Sequence, residues 1–384
     1  MHSGLKKLQI KHSNLQFIHQ LAFQPLPGIE ELILSDNLIE KLPTNILQTM
    51  RNLKVLDLSG NKINGLEGIG GQLGSKGQIL DSLKDLKATN SSDIFCILPF
   101  SQNNWKVLKE LRVDQNKDIR INPNSLENIA SLEVFDFSNG GLNLKNNPWT
   151  FCSLNMELLE IGNIGVGYEL NLRGCKKLKW LHADNNKFDR LSFGESSGPE
   201  KLLSISLNSN HFKEWPESLL DVSHSLIILN LANNLINYLP ENGKLLMTLF
   251  PCLEQLDLSG NKLSRINIQI NKRKTNSKLI FIQLNNCLLN EMPDFSKFLA
   301  LRSIELCGNK LTEVPGYLLP INRFLEYDFR NNSLNKLGWD WSETQIERIS
   351  ELKVDGNPLD CACPMPERLI KIVGELEVIH INYF

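Results

Sequence analysis

The sequence predicts an α/β solenoid, with a parallel β-sheet of short strands on its concave face and loops, turns or short helices on its convex face. Three observations predict it. A framework L-x-x-L-x-L-x-x-N-x-L-x-x-L recurs, as LKVLDLSGNKINGL at 53–66, LIILNLANNLINYL at 226–239 and LEQLDLSGNKLSRI at 253–266. Copies open at Leu5, Ile29, Leu53, Leu83, Leu108, Leu132, Met156, Leu178, Leu202, Leu226, Leu253, Leu279, Leu301, Phe324 and Ile349. These fifteen starts span 344 residues in fourteen intervals, a mean period of about 24.6, which is the spacing of a solenoid array. Within each copy, finally, framework residues alternate with polar ones, as in Leu56-Asp57-Leu58, the two-residue period of a strand.

Each element of a copy has a physical reason. The strand cannot bury its leucines alone, so neighbouring copies stack until their inward side chains form one core. The chain turns inward after the strand, where its peptide groups need partners, and a carboxamide both donates and accepts. Ten copies keep that residue: Asn37, Asn61, Asn116, Asn186, Asn210, Asn234, Asn261, Asn309, Asn332 and Asn357. Ser13 and Ser91 substitute a hydroxyl and Cys287 a thiol, whereas Gly140 and Ile164 offer no donor. Asn139 and Asn163 stand one residue early in those two copies, so a slipped turn and an irregular solenoid are expected there. The Gly-rich stretch 65–77 and the stretch 267–277, with Lys272, Arg273 and Lys274, read as surface loops.

This framework resembles the leucine-rich repeat family, across about fifteen repeats over residues 5–359. The resemblance implies the family's horseshoe. Copies such as 29–52, with Leu42-Pro43 after the Asn turn, are similar to the class typical of animal extracellular and receptor proteins, Toll-like receptor and chaoptin-like ectodomains among them. On that resemblance the chain is expected to be a fragment. The segment Asn357-Pro358-Leu359-Asp360-Cys361-Ala362-Cys363 resembles the start of the cysteine-bearing C-terminal flank of such proteins. That makes Cys361 and Cys363 candidates for a disulfide cap and 360–384 an incomplete flank, because no cysteine follows Cys363. A zinc site at this pair would need four ligands, and only His380 lies downstream. The other six cysteines fall in different copies and read as buried small side chains or free thiols.

Composition excludes several functions. Lys and Arg total 41 against 43 Asp and Glu, a net charge of -2, without the basic excess of a nucleic-acid binder. No apolar run of 18 residues occurs and the first residues lack a signal-peptide core, so no direct membrane insertion by this segment is expected. The seven histidines form no H-E-x-x-H or comparable cluster, and the glycines at 65–77 form no phosphate loop. No catalytic residue, metal or cofactor is therefore expected.

What remains is surface. Side chains at the third, fifth and seventh places of each copy are expected on the concave face, where fourteen acidic residues face six basic ones. Asp57, Asp136 and Asp257 read equally well as scaffold residues. At the third place Val134, Leu158 and Trp180 follow one another in adjacent copies, with Ile228 and Phe281 further along the file. Together with Glu160, His182 and Asp184 they form the candidate partner-binding patch, since affinity comes from a few desolvated anchors. Trp215, at a framework position, is expected in the core. The chain thus reads as a non-enzymatic recognition module for a protein ligand or co-receptor, at the cell surface or outside the cell. An intracellular scaffold or regulatory subunit, or the repeat region of a larger signalling enzyme, is the alternative; unpaired cysteines and only two glycosylation acceptors, Asn90 and Asn331, favour it.

Overall fold

The fold was analysed on a computed structural model, which describes residues 4–43, 50, 52–63, 85–87, 107–115, 126, 129–140, 149–194, 198–239, 249–264, 266, 278–322, 324–338 and 340–359. Asn116, Cys96, Cys361, Cys363, Trp339 and the loops at 65–77 and 267–277 lie outside these residues. The chain forms two compact units, Met1–Leu202 and Leu203–Phe384.

In the first unit each copy contributes one short strand. These are β1 (Lys7–Gln9), β2 (Glu31–Ile33), β3 (Val55–Asp57), β4 (Asp85–Lys87), β5 (Glu110–Arg112), β6 (Val134–Asp136), β8 (Leu158–Glu160) and β10 (Trp180–His182). All pair in parallel, neighbour to neighbour, without a register slip. The central residue of each strand therefore stacks on the next, from Leu32 through Leu56, Leu86, Leu111, Phe135 and Leu159 to Leu181, and each of these is at most 1% exposed. The second unit repeats the plan. Its strands are β12 (Ser204–Ser206), β13 (Ile228–Asn230), β14 (Gln255–Asp257), β15 (Phe281–Gln283), β16 (Ser303–Glu305), β17 (Leu325–Asp328) and β18 (Ile349–Lys353). The fold is a parallel-sheet solenoid with little helix; the short α-helix α1 (Glu343–Ile346) carries a capping box between Ser342 and Gln345.

The asparagines bind copy to copy. Asn234 donates to Leu231 O and Ala232 O in its own turn and to Leu207 O of the preceding copy, while its Oδ1 accepts Phe212 N, all within 3.1 Å. Asn61, Asn261, Asn309 and Asn332 repeat the pattern. Asn37 and Asn186 likewise donate to their own turn and the preceding copy. Asn210 bonds Leu207 O of its own turn, and Asn357 bonds Val354 O and Phe329 O. Cys287 fills the same site, its thiol donating to Leu258 O at 3.2 Å, and burial pushes its pKa up to about 12.

The expected slip at Gly140 and Ile164 does not occur. Asn139 and Asn163 take left-handed backbone at φ 58° and 55°, as Asp36, Asn185, Ser209 and Asn233 do one residue before their ladder asparagines. Their N–H groups reach Gly162 O and Asp184 O in the next copy, as that of Asn233 reaches Ser259 O. The left-handed residue sets the turn, and the ladder site can then be filled without an amide. Ile164 fills it with a buried side chain. Gly140 leaves it to the Phe137 ring, which would lie 2.9 Å from any Cβ there.

Three further differences from the sequence reading stand out. Beyond loops and turns, the return segments of the first unit form a second parallel sheet of β7 (Trp149–Thr150), β9 (Gly167–Asn171) and β11 (Lys187–Ser192), in the order β11-β9-β7. Alternating Val166, Leu170 and Leu172 supply its buried face. Cys152 and Cys175 are not separate thiols: they form a disulfide beside that sheet, with Cα atoms 5.1 Å apart and both side chains 1% exposed. Among the described residues the free cysteines are Cys252, Cys287 and Cys307. Finally, the copy assigned to Phe324 begins one residue later. Leu325 fills the core at 0% exposure, the register shifts between Leu325 and Glu326, and Phe324 is turned outward. Trp215 is buried edge-on to Phe250, and Trp341 packs near Tyr327 with its indole N–H on Val314 O.

Candidate functional site

Strict register brings three of the predicted anchors together. Val134 on β6, Leu158 on β8 and Trp180 on β10 are direct neighbours across the strands. Val134 and Leu158 are half-buried, and Trp180 keeps 39% of its surface exposed beside the Lys179 ammonium, 5.7 Å from the ring centre.

Two residues along, the same strands carry Asp136, Glu160 and His182 in line. They belong to a charge chain that starts two strands earlier. Lys87 lies 3.2 Å from Glu110, and Arg112 Nε is 2.7 Å from the same carboxylate. Arg112 Nη1 then reaches Asp136 at 3.2 Å and Glu160 at 3.5 Å, and His182 Nδ1 lies 3.3 Å from Glu160. Burial, reinforced by the Glu160 carboxylate, pushes the Asp136 pKa up to about 6. The His182 imidazole holds Glu160 below the ordinary carboxylate range, and Glu160 in return raises His182. From the sequence, Arg112 entered only the count of basic side chains and Asp136 read as a scaffold residue. The signal lay in the fifth place of successive copies, which reads Lys87, Arg112, Asp136, Glu160, His182.

Asp184 is half-buried beyond His182, and its backbone carbonyl accepts from Asn163 N. Ile228 and Phe281 lie in the second unit, on β13 and β15 with Gln255 between them, and border an open cleft of about 320 Å³ with Gln283 and Glu305. Asp57, Asp136 and Asp257 each accept the backbone N–H two residues on, at 3.0, 3.0 and 2.9 Å. They cap their own turns, so part of the expected acidity of this face is spent on the scaffold. Among the described residues no group of three His, Cys, Asp or Glu side chains could hold a metal ion, and no helix is long and apolar enough to cross a membrane.

The charge chain gives a pH prediction. Asp136 binds its proton more tightly folded than unfolded, so the stability it contributes is complete below pH about 4 and is lost as pH rises to about 6. Asp136→Asn removes that dependence while keeping an acceptor for Ser138 N. The difference in urea midpoint, variant minus wild type, should grow between pH 4 and 6 and then level off; a constant difference would contradict the shift.

Known proteins match this architecture. The leucine rich repeat family matches residues 3–67. Lumican from Coturnix japonica is 25% identical over 296 residues, 74% of this chain and 74% of lumican. Podocan from Mus musculus is 25% identical over 356 residues, covering 87% of this chain and 52% of podocan. Among solved structures, the leucine-rich repeat protein LIC12759 of Leptospira interrogans superposes with a TM-score of 0.71 at 19% identity, over 98% of this chain and 95% of its own. The relationship is to repeat proteins without catalytic activity. Fold, repeat register and the family match over residues 3–67 together make this chain similar to leucine-rich repeat proteins.

Proposed function

We propose that the chain is a recognition module that binds a protein partner outside the cell through the outward side chains of β6, β8 and β10. One observation carries the reading: Val134, Leu158 and Trp180 form a continuous apolar file at the side of a fixed charge chain. Apolar anchors give affinity, and the neighbouring charges give orientation and selectivity. The arrangement is preformed, since β6 and β8 are paired on both sides and β10 is paired to β8, so little ordering entropy is lost on binding. The Cys152–Cys175 disulfide supports an extracellular setting.

Peptides selected from a random displayed library on the wild-type chain test this. Trp180→Ala should weaken them roughly tenfold or more. Tyr168→Ala, on β9 and 73% exposed, should leave them unchanged. The melting temperature should hold in both variants, because neither side chain is in the core. Binders indifferent to Trp180 would place recognition elsewhere, and a marked loss of thermal stability would make Trp180 a packing residue.

A further inference from the structure

The residues immediately before the strands form a second row, and the two units fill it differently. In the first unit it is a ladder of paired charges: Lys6 with Glu30 at 2.7 Å, Glu30 with Lys54, Lys109 with Glu133 at 2.5 Å, and Glu157 with Lys179 at 2.8 Å. That row satisfies itself. In the second unit the row reads Leu203, Ile227, Glu254, Ile280, Arg302, Phe324 and Arg348. Among the described residues, Arg302 and Arg348 have no ion-pair partner in the row or beside it, and Ile227 and Ile280 are half-buried rather than covered.

An open cleft of about 650 Å³ runs along this row. Its wall adds the exposed Lys278 and two exposed aliphatic side chains, Leu299 at 61% and Ile321 at 54%. Arg348 Nη1 donates to Ile321 O at 2.6 Å and pins that segment in place. Two residues past Asn322 in the cleft wall stands Phe324, 74% exposed with φ 58°. Left-handed backbone is a strained choice for a bulky aromatic residue. Here the constraint holds a ring toward solvent while Leu325 takes the core.

We infer that this strand-start edge of the second unit is a docking groove for an extended segment of another protein, one that presents carboxylates beside large apolar side chains. Charge sets the first half of that description: Lys278, Arg302 and Arg348 face a single Glu254. Leu299 and Ile321 in the wall, with the exposed Phe324 two residues along the chain from the wall residue Asn322, set the second, because exposed apolar side chains are satisfied by apolar side chains. A sulfated polysaccharide would use the cations and leave the apolar wall wet. The groove is separate from the Trp180 file and does not depend on it.

The test is fluorescence anisotropy of the whole chain with a labelled peptide of alternating Glu and Leu or Phe. The peptide should bind, and its counterpart with Lys for Glu should not. Arg302→Glu should weaken it roughly tenfold or more. Phe324→Gly should weaken it as well while the melting temperature holds or rises, since glycine adopts left-handed backbone without steric cost. Trp180→Ala should leave it unchanged, which separates this groove from the site proposed above. Equal binding of heparin or polyglutamate would reduce the groove to a polyanion patch and overturn the inference. So would a dimer in light scattering that Phe324→Gly dissolves, which would make a second copy the occupant, or peptide binding indifferent to both groove variants.

Discussion

Asn234→Leu is expected to lower the unfolding free energy by roughly 3 to 5 kcal/mol. The side chain is 3% exposed; its removal leaves the N–H of Phe212 without a partner and takes one bond each from the carbonyls of Leu207, Leu231 and Ala232, which keep Asn210 Nδ2, Asn261 Nδ2 and Ser209 N. A buried polar group left without its partner costs about 1–3 kcal/mol, and each of the three further bonds lost adds about 0.5–1.5 kcal/mol. Leucine has the same number of side-chain heavy atoms and the same branching, so no cavity is left and the loss reports chiefly on hydrogen bonding. Urea unfolding at neutral pH is the measurement. A loss below about 1 kcal/mol would mean that water or a relaxed turn replaces the amide. The contrasting substitution is Asn233→Ala one residue earlier, whose side chain is exposed and bonds only Asn208 across the turn; its cost comes from the left-handed backbone alone, about 1 kcal/mol.

The second large effect concerns the disulfide. Cys152→Ala with Cys175→Ala should cost about 3 kcal/mol, the loop-closure entropy expected for a bridge spanning 23 residues. Dithiothreitol should lower the melting temperature of the wild type toward that of the double variant and leave the variant unmoved. Because the bridge ties the return segments that carry β7 and β9, amide exchange should accelerate first in that small sheet and last in β8 and β10. A wild type indifferent to reductant would show that the bond contributes nothing to the native state.

The repeat made most of this legible in the sequence. Period, strand positions, the ladder asparagines and the file of Val134, Leu158 and Trp180 all follow from one framework, because in-register stacking turns sequence equivalence into spatial adjacency. The misses share a cause. They occur where a copy departs from the framework by one residue or outside it. Cys152 and Cys175 precede the openings of adjacent copies at Met156 and Leu178 by four and three residues, so they stack; only the path of the return segment reveals that offset. Phe324 and Leu325 are both apolar, and the pattern could not say which one the core takes. Asn139 and Asn163 looked like displaced ladder residues because the left-handed position had no signature of its own, being filled by Asp, Gln, Ser, Asn and Gly alike. Arg112 needed the fifth places to be compared across copies rather than counted.

The amide at Asn234 clasps Leu207 O behind it, and Asn261 clasps Leu231 O in the same way. Each copy thus presents to its successor the same socket it received from its predecessor. A cut that removes one whole period, say from Leu226 to Cys252, would bring Asn261 to Leu207 O with its chemistry intact. Such a chain can lengthen or shorten by duplication and excision of entire modules, and its size can drift in evolution while every local contact is inherited unchanged.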